Sequence, residues 1–279
     1  MDRAFDDLKK KAAQAANHEN EFMGADGLLH CSVCGGKLET IVQSPRGTME
    51  KVRCVCRCAV AERERYEEAK RRNYRESRRK ICFRGTNMAD WNFAADDNRN
   101  PEISAVMRRY ADLFPEYRRD GKGLLLYGTV GTGKTYYAAC IANAVIDRAD
   151  HEYRVYMTNF ASIADDLSGT WDKAEYIDDL MRYDLLIIDD LGAERKSEYM
   201  QEQVWRIADE RYRSGLPLIV TTNLTAEEID KGDGIGNKRI YSRLLERCLA
   251  VEVKGKDRRR EIARREWASM REQLGLGGV

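Results

Sequence analysis

No stretch of this chain is apolar for anything near the roughly 20 residues that a helix needs to cross a bilayer. The N-terminus, Met1-Asp-Arg-Ala-Phe-Asp-Asp, is acidic where a secretory signal would be basic and then apolar. Together these absences predict a cytoplasmic protein with no membrane partner. A dominant charge is missing too: 48 Lys and Arg stand against 47 Asp and Glu, for a formal net charge of +1. No global field therefore draws in nucleic acid, and any such binding has to use local patches. Neither internal repeats nor low-complexity segments occur. The length of 279 residues and an apolar fraction of 43% suit one or two globular domains with ample core.

Cysteine, by contrast, is concentrated. Five of the eight fall in one segment, Cys31-Ser-Val-Cys34-Gly-Gly followed by Cys54-Val-Cys56-Arg-Cys58. In a cytoplasmic chain such a cluster points to metal in preference to disulfides. The first pair has the turn of a zinc knuckle, in which two thiolates converge on one tetrahedral ion. The second group is C-x-C-x-C instead of C-x-x-C, so two of Cys54, Cys56 and Cys58 complete a four-thiolate site and the third is spare. His30 adjoins Cys31 too closely to share the ion. Four thiolates leave no open coordination position, which makes the expected Zn2+ structural. Cys82, Cys140 and Cys248 stand singly and read as core residues.

Residues Gly128, Thr129, Val130, Gly131, Thr132, Gly133, Lys134 and Thr135 read GTVGTGKT, between an apolar run (Gly123 to Tyr127) and a helix-compatible stretch (Tyr136 to Asn143). That context makes the pattern a phosphate-binding loop, because the chemistry needs a strand that delivers glycine-rich backbone to a helix N-terminus. The three glycines permit positive φ, which turns N–H groups toward phosphate charge. Lys134 supplies a point charge to the β- and γ-phosphates of ATP, and Thr135 offers its hydroxyl to Mg2+. The run Asp184-Leu-Leu-Ile-Ile-Asp189-Asp190 is a buried-strand segment ending in two carboxylates. Asp189 is placed to hold the Mg2+, and Asp190 to orient or deprotonate the attacking water.

Five strands are expected, at Gly123 to Gly128, Arg154 to Asn159, Asp184 to Asp190, Pro217 to Asn223 and Leu249 to Lys254, with helix-compatible stretches between them. The alternation predicts an α/β fold, a parallel five-stranded sheet with helices on both faces. Leu218-Ile-Val-Thr-Thr-Asn223 is expected to lie beside the acidic strand, with Asn223 at its carboxyl end, where ligands bind in such sheets. The chain thus divides into residues 1–60, a short helix with the cysteine module for partner binding, a charged helical linker over 61–99, and a nucleotide-binding domain over 100–279. Ala61 to Lys80 is dense in charge and free of Gly and Pro. It reads as a solvated connecting helix or as a basic surface for nucleic acid or a partner protein.

GLLLYGTVGTGKT, LLIIDDLG, LIVTTN and RIYSRLLERC, in that order, resemble the ATPase core of bacterial and phage helicase loaders of the DnaC type, within the AAA+ superfamily. Insertion-sequence helper ATPases share the same core. The resemblance covers roughly Ile81 to Arg265 and makes Gly128 to Thr135 the Walker A loop, Asp189 with Asp190 the Walker B pair and Asn223 sensor 1. It makes Arg243 the arginine finger that reaches a neighbour's ATP site, with Arg239 as the competing candidate on the same helix face. Arg259, between Arg258 and Arg260, falls in the sensor 2 region. Many members of the superfamily carry Glu where this chain has Asp190, which implies slow turnover. By resemblance, then, the protein is an assembly-dependent ATPase that binds the replicative DNA helicase and helps place it on single-stranded DNA. The alternative is a transposition helper acting with a transposase on duplex DNA, and the cysteine module favours the loader. The candidate segment for DNA contact is Leu167 to Tyr183, which carries Trp171, Lys173 and Tyr176.

Overall fold

The computed structural model of the protein describes residues 20–191, 198–231 and 235–276, together with Asp7 and Lys10. The helix expected near the N-terminus lies largely outside them. The chain forms two compact units, residues 1–74 and 75–279.

In the first unit, β1 (Glu21–Met23) pairs antiparallel with β2 (Leu29–Cys31), and β3 (Glu39–Gln43) with β4 (Met49–Arg53). A salt bridge from Arg53 to Glu21 ties the two hairpins together. Leu38 is fully buried between Cys31 and Cys56, so among the described residues the core of this unit is little more than its sulfur cluster. Such a small apolar nucleus is typical of modules that need a metal or another staple to hold together. Helix α1 (Arg57–Phe83) occupies the charge-dense segment, as its helix formers and lack of Gly and Pro predict, and the boundary between the units falls within it.

The second unit continues from the end of α1 through α2 (Pro101–Asp112), α3 (Phe114–Asp120), β5 (Gly123–Tyr127), α4 (Lys134–Ile146), β6 (Val155–Asn159) and α5 (Phe160–Gly169). It then runs through α6 (Lys173–Met181), β7 (Leu185–Leu191), α7 (Glu198–Ser214), β8 (Leu218–Thr222), α8 (Ala226–Lys231), α9 (Ile235–Arg247), β9 (Cys248–Glu252) and α10 (Arg258–Gln273). Each expected strand is present to within a residue or two. All pairings are parallel, in the order β6-β7-β8-β5-β9. Successive strand side chains point to opposite faces. Leu124, Leu126, Leu185, Ile187 and Ile219 accordingly meet α4 and α2 on one face. Leu125, Leu186, Ile188 and Val220 meet α5, α6, α7 and α9 on the other. Cys82, Cys140 and Cys248 are buried in these two layers, as expected of core residues.

One buried polar residue ties the segment before α2 to this core. Asn143, on α4, donates to the carbonyls of Met88 (3.0 Å) and Trp91 (2.7 Å) and accepts from Arg79 Nε (2.9 Å). It thereby fixes two 3-10 turns, Asn87–Asp90 and Phe93–Ala95, along α4. Replacing Asn143 with Leu, of similar volume, removes the amide that serves the Met88 and Trp91 carbonyls and Arg79 Nε, although Met88 O keeps Trp91 N–H and Arg79 keeps Asp147. The expected loss is about 2–3 kcal/mol of stability, measured as a shift of the urea unfolding midpoint at unchanged m-value.

Candidate functional sites

The zinc-type cluster is built by a tight turn. Gly35 takes φ +65° and its N–H bonds to Cys31 O at 2.8 Å, while Cys31 N–H bonds to Gly36 O at 2.9 Å. This brings Cys31 and Cys34 to the start of α1, where Cys56 immediately precedes the helix and Cys58 lies in its first turn. The four sulfurs lie within 4.8 Å of one another. A tetrahedral ion with Zn–S bonds of 2.3 Å requires sulfurs about 3.8 Å apart, so the donor set fits a structural zinc ion. Of the three thiols left open by the sequence, Cys54 is the spare: its Sγ turns to Lys37 O at 3.4 Å. His30 is engaged elsewhere, with Nδ1 3.1 Å from Gly35 O and Nε2 2.9 Å from Asp26. Backbone N–H groups favour thiolate in the cluster. That of Cys58 leads in lowering the Cys34 thiol to about 6, and that of Cys34 lowers Cys31. Cys58 is pushed upward because its thiol hydrogen-bonds to the sulfurs of Cys56, Cys34 and Cys31, with burial and the Cys31 charge adding to the shift. A bound cation relieves that conflict.

The second site lies at the carboxyl ends of three neighbouring strands, β7, β8 and β5. Here Val130, Gly131, Gly133, Lys134 and Thr135 of the loop, with Asp189, Asp190, Thr221, Asn223 and Arg259, line a cavity of about 280 Å³ that Met88, Trp91 and Tyr136 also border. The loop has the expected backbone, with φ of +129°, +79° and +103° at Gly128, Gly131 and Gly133. At Gly131 a side chain is excluded by space as well, since a Cβ would sit 1.9 Å from Asp257 Oδ1. Asp257 caps α10 by accepting from Arg259 N–H at 3.1 Å, and Arg258 N–H bonds to Gly131 O at 2.9 Å. The loop is therefore packed directly on the start of α10. Thr132 is buried with its hydroxyl on Thr129 O (3.0 Å), while Thr129 and Val130 are exposed at the tip.

Inside the cavity Lys134 Nζ donates to the loop's own carbonyls, Gly128 O and Thr129 O, each at 2.8 Å. Burial lowers its pKa, opposed by the charges of Asp190 and Asp189. Thr135 Oγ1 donates to Asp189 at 2.9 Å, and Thr221 Oγ1 to the same carboxylate at 2.6 Å. Burial raises the Asp189 pKa, and these two hydroxyls work against that shift. A hydroxyl beside a carboxylate is a hard oxygen donor set that fits Mg2+.

Thr221, which the sequence reading did not single out, also accepts from Asp190 N–H at 2.9 Å. It stands two residues before Asn223 in LIVTTN, and that spacing on one strand face was the available signal. Asp190 adopts φ +60° at a one-residue bulge, where the register of β7 against β8 slips between Ile188 and Leu191. Without the bulge, consecutive carboxylates would point to opposite faces. With it, both line the cavity, and Asn223 Nδ2 donates to Asp190 Oδ1 at 2.6 Å.

The three arginines expected in the sensor 2 region are separated by their partners. Arg258 pairs with Asp97 at 3.0 Å, Arg260 with Asp257 at 3.4 Å, and Arg259 lines the cavity. Arg243 does not join them. It lies by Gly121, Leu216, Leu218 and Cys248, toward the amino ends of the strands. The side chain of Arg239 falls outside the described residues. Trp171 is fully exposed between α5 and α6, whereas Tyr176 packs against the core and bonds to Asp166 at 2.8 Å.

A glycine-rich loop, an acidic strand end and this strand order define an ATP-binding fold of the AAA+ kind. The family model described as IstB-like ATP binding protein matches residues 56–266, and the chain belongs to that family. Among curated relatives, it is 24% identical over 179 residues to the replicative helicase loader DnaI of Bacillus subtilis, a match spanning 60% of this chain and 58% of that protein. Identity to the replicative helicase loader DnaC of Escherichia coli is 27% over 187 residues, spanning 65% of this chain and 73% of that one. The crystal structure of a DnaC helicase loader shares the fold, with a TM-score of 0.53 at 22% identity over 61% of this chain and all of that one. A putative primosome component from Streptococcus pyogenes aligns with a TM-score of 0.51 at 25% identity, over 61% of this chain and 90% of that one.

Metal analysis of the purified protein is expected to give one zinc per chain. Cys31→Ser and Cys56→Ser should each release it to a chromogenic chelator, while Cys54→Ser should retain it.

Proposed function

We propose that the chain is a helicase loader: an ATPase that assembles with further copies of itself, binds the replicative DNA helicase through its cysteine unit and helps place that ring on single-stranded DNA. The observation that carries the reading is the division of the catalytic groups. The cavity gathers phosphate loop, Mg2+-type ligands and a candidate base, while Arg243 stands toward the far ends of the strands, so with Arg243 read as the arginine finger a complete site takes a second copy. Dependence on assembly is what the loading of a ring demands. Similarity to proteins named as helicase loaders supports the same conclusion. The family's own description points to the helper ATPases of insertion sequences as the rival.

In this reading the phosphates of ATP take the N–H groups of the loop, and Lys134 exchanges two carbonyls for phosphate oxygens. Thr135 and Asp189 would hold Mg2+, which when bound neutralises charge on the β- and γ-phosphates. Asp190 accepts the proton of the attacking water, and Asn223 orients that carboxylate through the bond it already makes. Arg259 meets the γ-phosphate from its own chain. Arg243 stabilises the transition state from a neighbour, a contribution on the order of 10³ or more in rate. Single-stranded DNA is held through its phosphates by basic residues of the assembly, a sequence-independent mode that weakens with salt.

Asp190→Asn keeps both the backbone preference and the hydrogen-bond reach of the side chain, so ATP binding is expected to persist. Single-turnover hydrolysis should fall by about 10²-fold or more. Native mass spectrometry of the protein with its host's or phage's replicative helicase should yield a stoichiometric complex. That complex should be lost when Cys31 and Cys34 both become Ser. Its absence in every nucleotide state would transfer the lead to transposition.

A further inference from the structure

The surroundings of Arg243 are built, not incidental. Its guanidinium lies over the ring of Tyr212 with Cζ 4.4 Å from the ring centroid, and Arg247 lies over the same ring at 4.9 Å. Tyr212 is itself held, since its hydroxyl donates to Glu246 at 2.5 Å. From the same helix, Asp209 approaches Arg243 Nε at 3.5 Å and takes Arg213 at 2.8 Å. The Asp209 side chain is only 6% exposed, so its charge is anchored. The helical spacing accounts for the meeting. Asp209, Tyr212 and Arg213 share one face of α7 at i, i+3 and i+4, and Arg243, Glu246 and Arg247 share one face of α9 at the same spacing.

The way these groups hold Arg243 differs from a closed salt bridge. Ring stacking uses the flat face of a guanidinium and leaves its edge donors available. Asp209 comes nearest on the Nε side, and among the described residues the carboxylate facing the Nη edge is Glu246, at 3.9 Å. The side chain remains 42% exposed. A long side chain is thus ordered before any partner arrives, with its phosphate-matching fork unspent. Ordering it in advance removes a cost that a loose arginine would meet at the moment of docking.

We infer that Tyr212 and Asp209 are positioning residues that preset Arg243 for delivery into the ATP site of a neighbouring copy. The inference rests on the reading of Arg243 as a residue acting in trans. It therefore calls for an experiment in which the two can fail separately.

Two crippled proteins are mixed. Lys134→Ala has no working site but can donate the arginine, and Arg243→Ala has a site but no arginine to donate. Neither should hydrolyse ATP alone, and the mixture should regain activity. The donor is then altered. With K134A/Y212A as donor, kcat of the mixture is expected to be about tenfold lower at unchanged KM, a loss in the range of one cation–π contact. With K134A/Y212F, which keeps the ring, it should remain within about twofold of the K134A donor. Because the altered subunit contributes no active site, damage to its own nucleotide pocket cannot produce the effect. K134A/D209N, which preserves side-chain size, is a second donor expected to lower kcat, and melting transitions of all donors establish that they fold. Full restoration by both K134A/Y212A and K134A/D209N overturns the positioning role and leaves the arginine reading intact. A K134A and R243A mixture that stays inactive overturns the reading beneath it.

Discussion

The parallel sheet of the second unit is covered by helices on both faces, and this constraint decides where its chemistry can be. Leu124 to Leu126, Leu185 to Ile188 and Leu218 to Val220 are buried against one helical layer or the other. A charged side chain in any of those positions would lose its hydration without gaining a partner. The carboxylates, hydroxyls and amide are consequently displaced to the strand ends. There Asp189, Asp190, Thr221 and Asn223 line one cavity with residues of the glycine-rich loop. The strand order then does the rest, because it makes β7, β8 and β5 neighbours although they are distant in sequence.

The same separation of ends gives the domain two chemically different rims. The carboxyl-end rim holds donors for phosphate and oxygen ligands for a cation. Toward the amino ends the rim holds Arg211, Arg243 and Arg247 around Tyr212. Buried Arg211 is drawn down to about 9, because burial outweighs the nearby Asp184 charge, and its guanidinium bonds to Pro217 O at 2.8 Å. That anchor holds α7 to the start of β8 and so fixes the helix on which Arg243 leans. In the assembly proposed above, these two rims are the surfaces that would meet head to tail, the heterologous mode that produces rings and filaments.

Much of this was legible in the residues. Continuous apolar runs of five or so residues gave away the strands, since a strand buried on both faces has no alternation to show. The glycine spacing revealed the loop because positive φ at those positions has few other solutions. The remainder depended on three-dimensional placement. C-x-C-x-C offers three thiols at equivalent spacing, and only the turn of Lys37 toward Cys54 removes that one. Arg258, Arg259 and Arg260 are chemically identical, and capping by Asp257 with the Asp97 pair decides which of them enters the cavity. Thr221 has no motif of its own, and it becomes visible once its hydroxyl is seen to serve two successive aspartates.

The bulge at Asp190 also bears on how this site can change over generations. A left-handed backbone is tolerated by Asp and Asn but costs most other L-residues about 1–2 kcal/mol. A longer acid would be a conservative replacement by charge, yet at φ +60° it would carry that backbone cost unless the strand register changed with it. Side-chain identity and backbone path are thus coupled at this position, so a swap that looks neutral in charge is not neutral in backbone conformation.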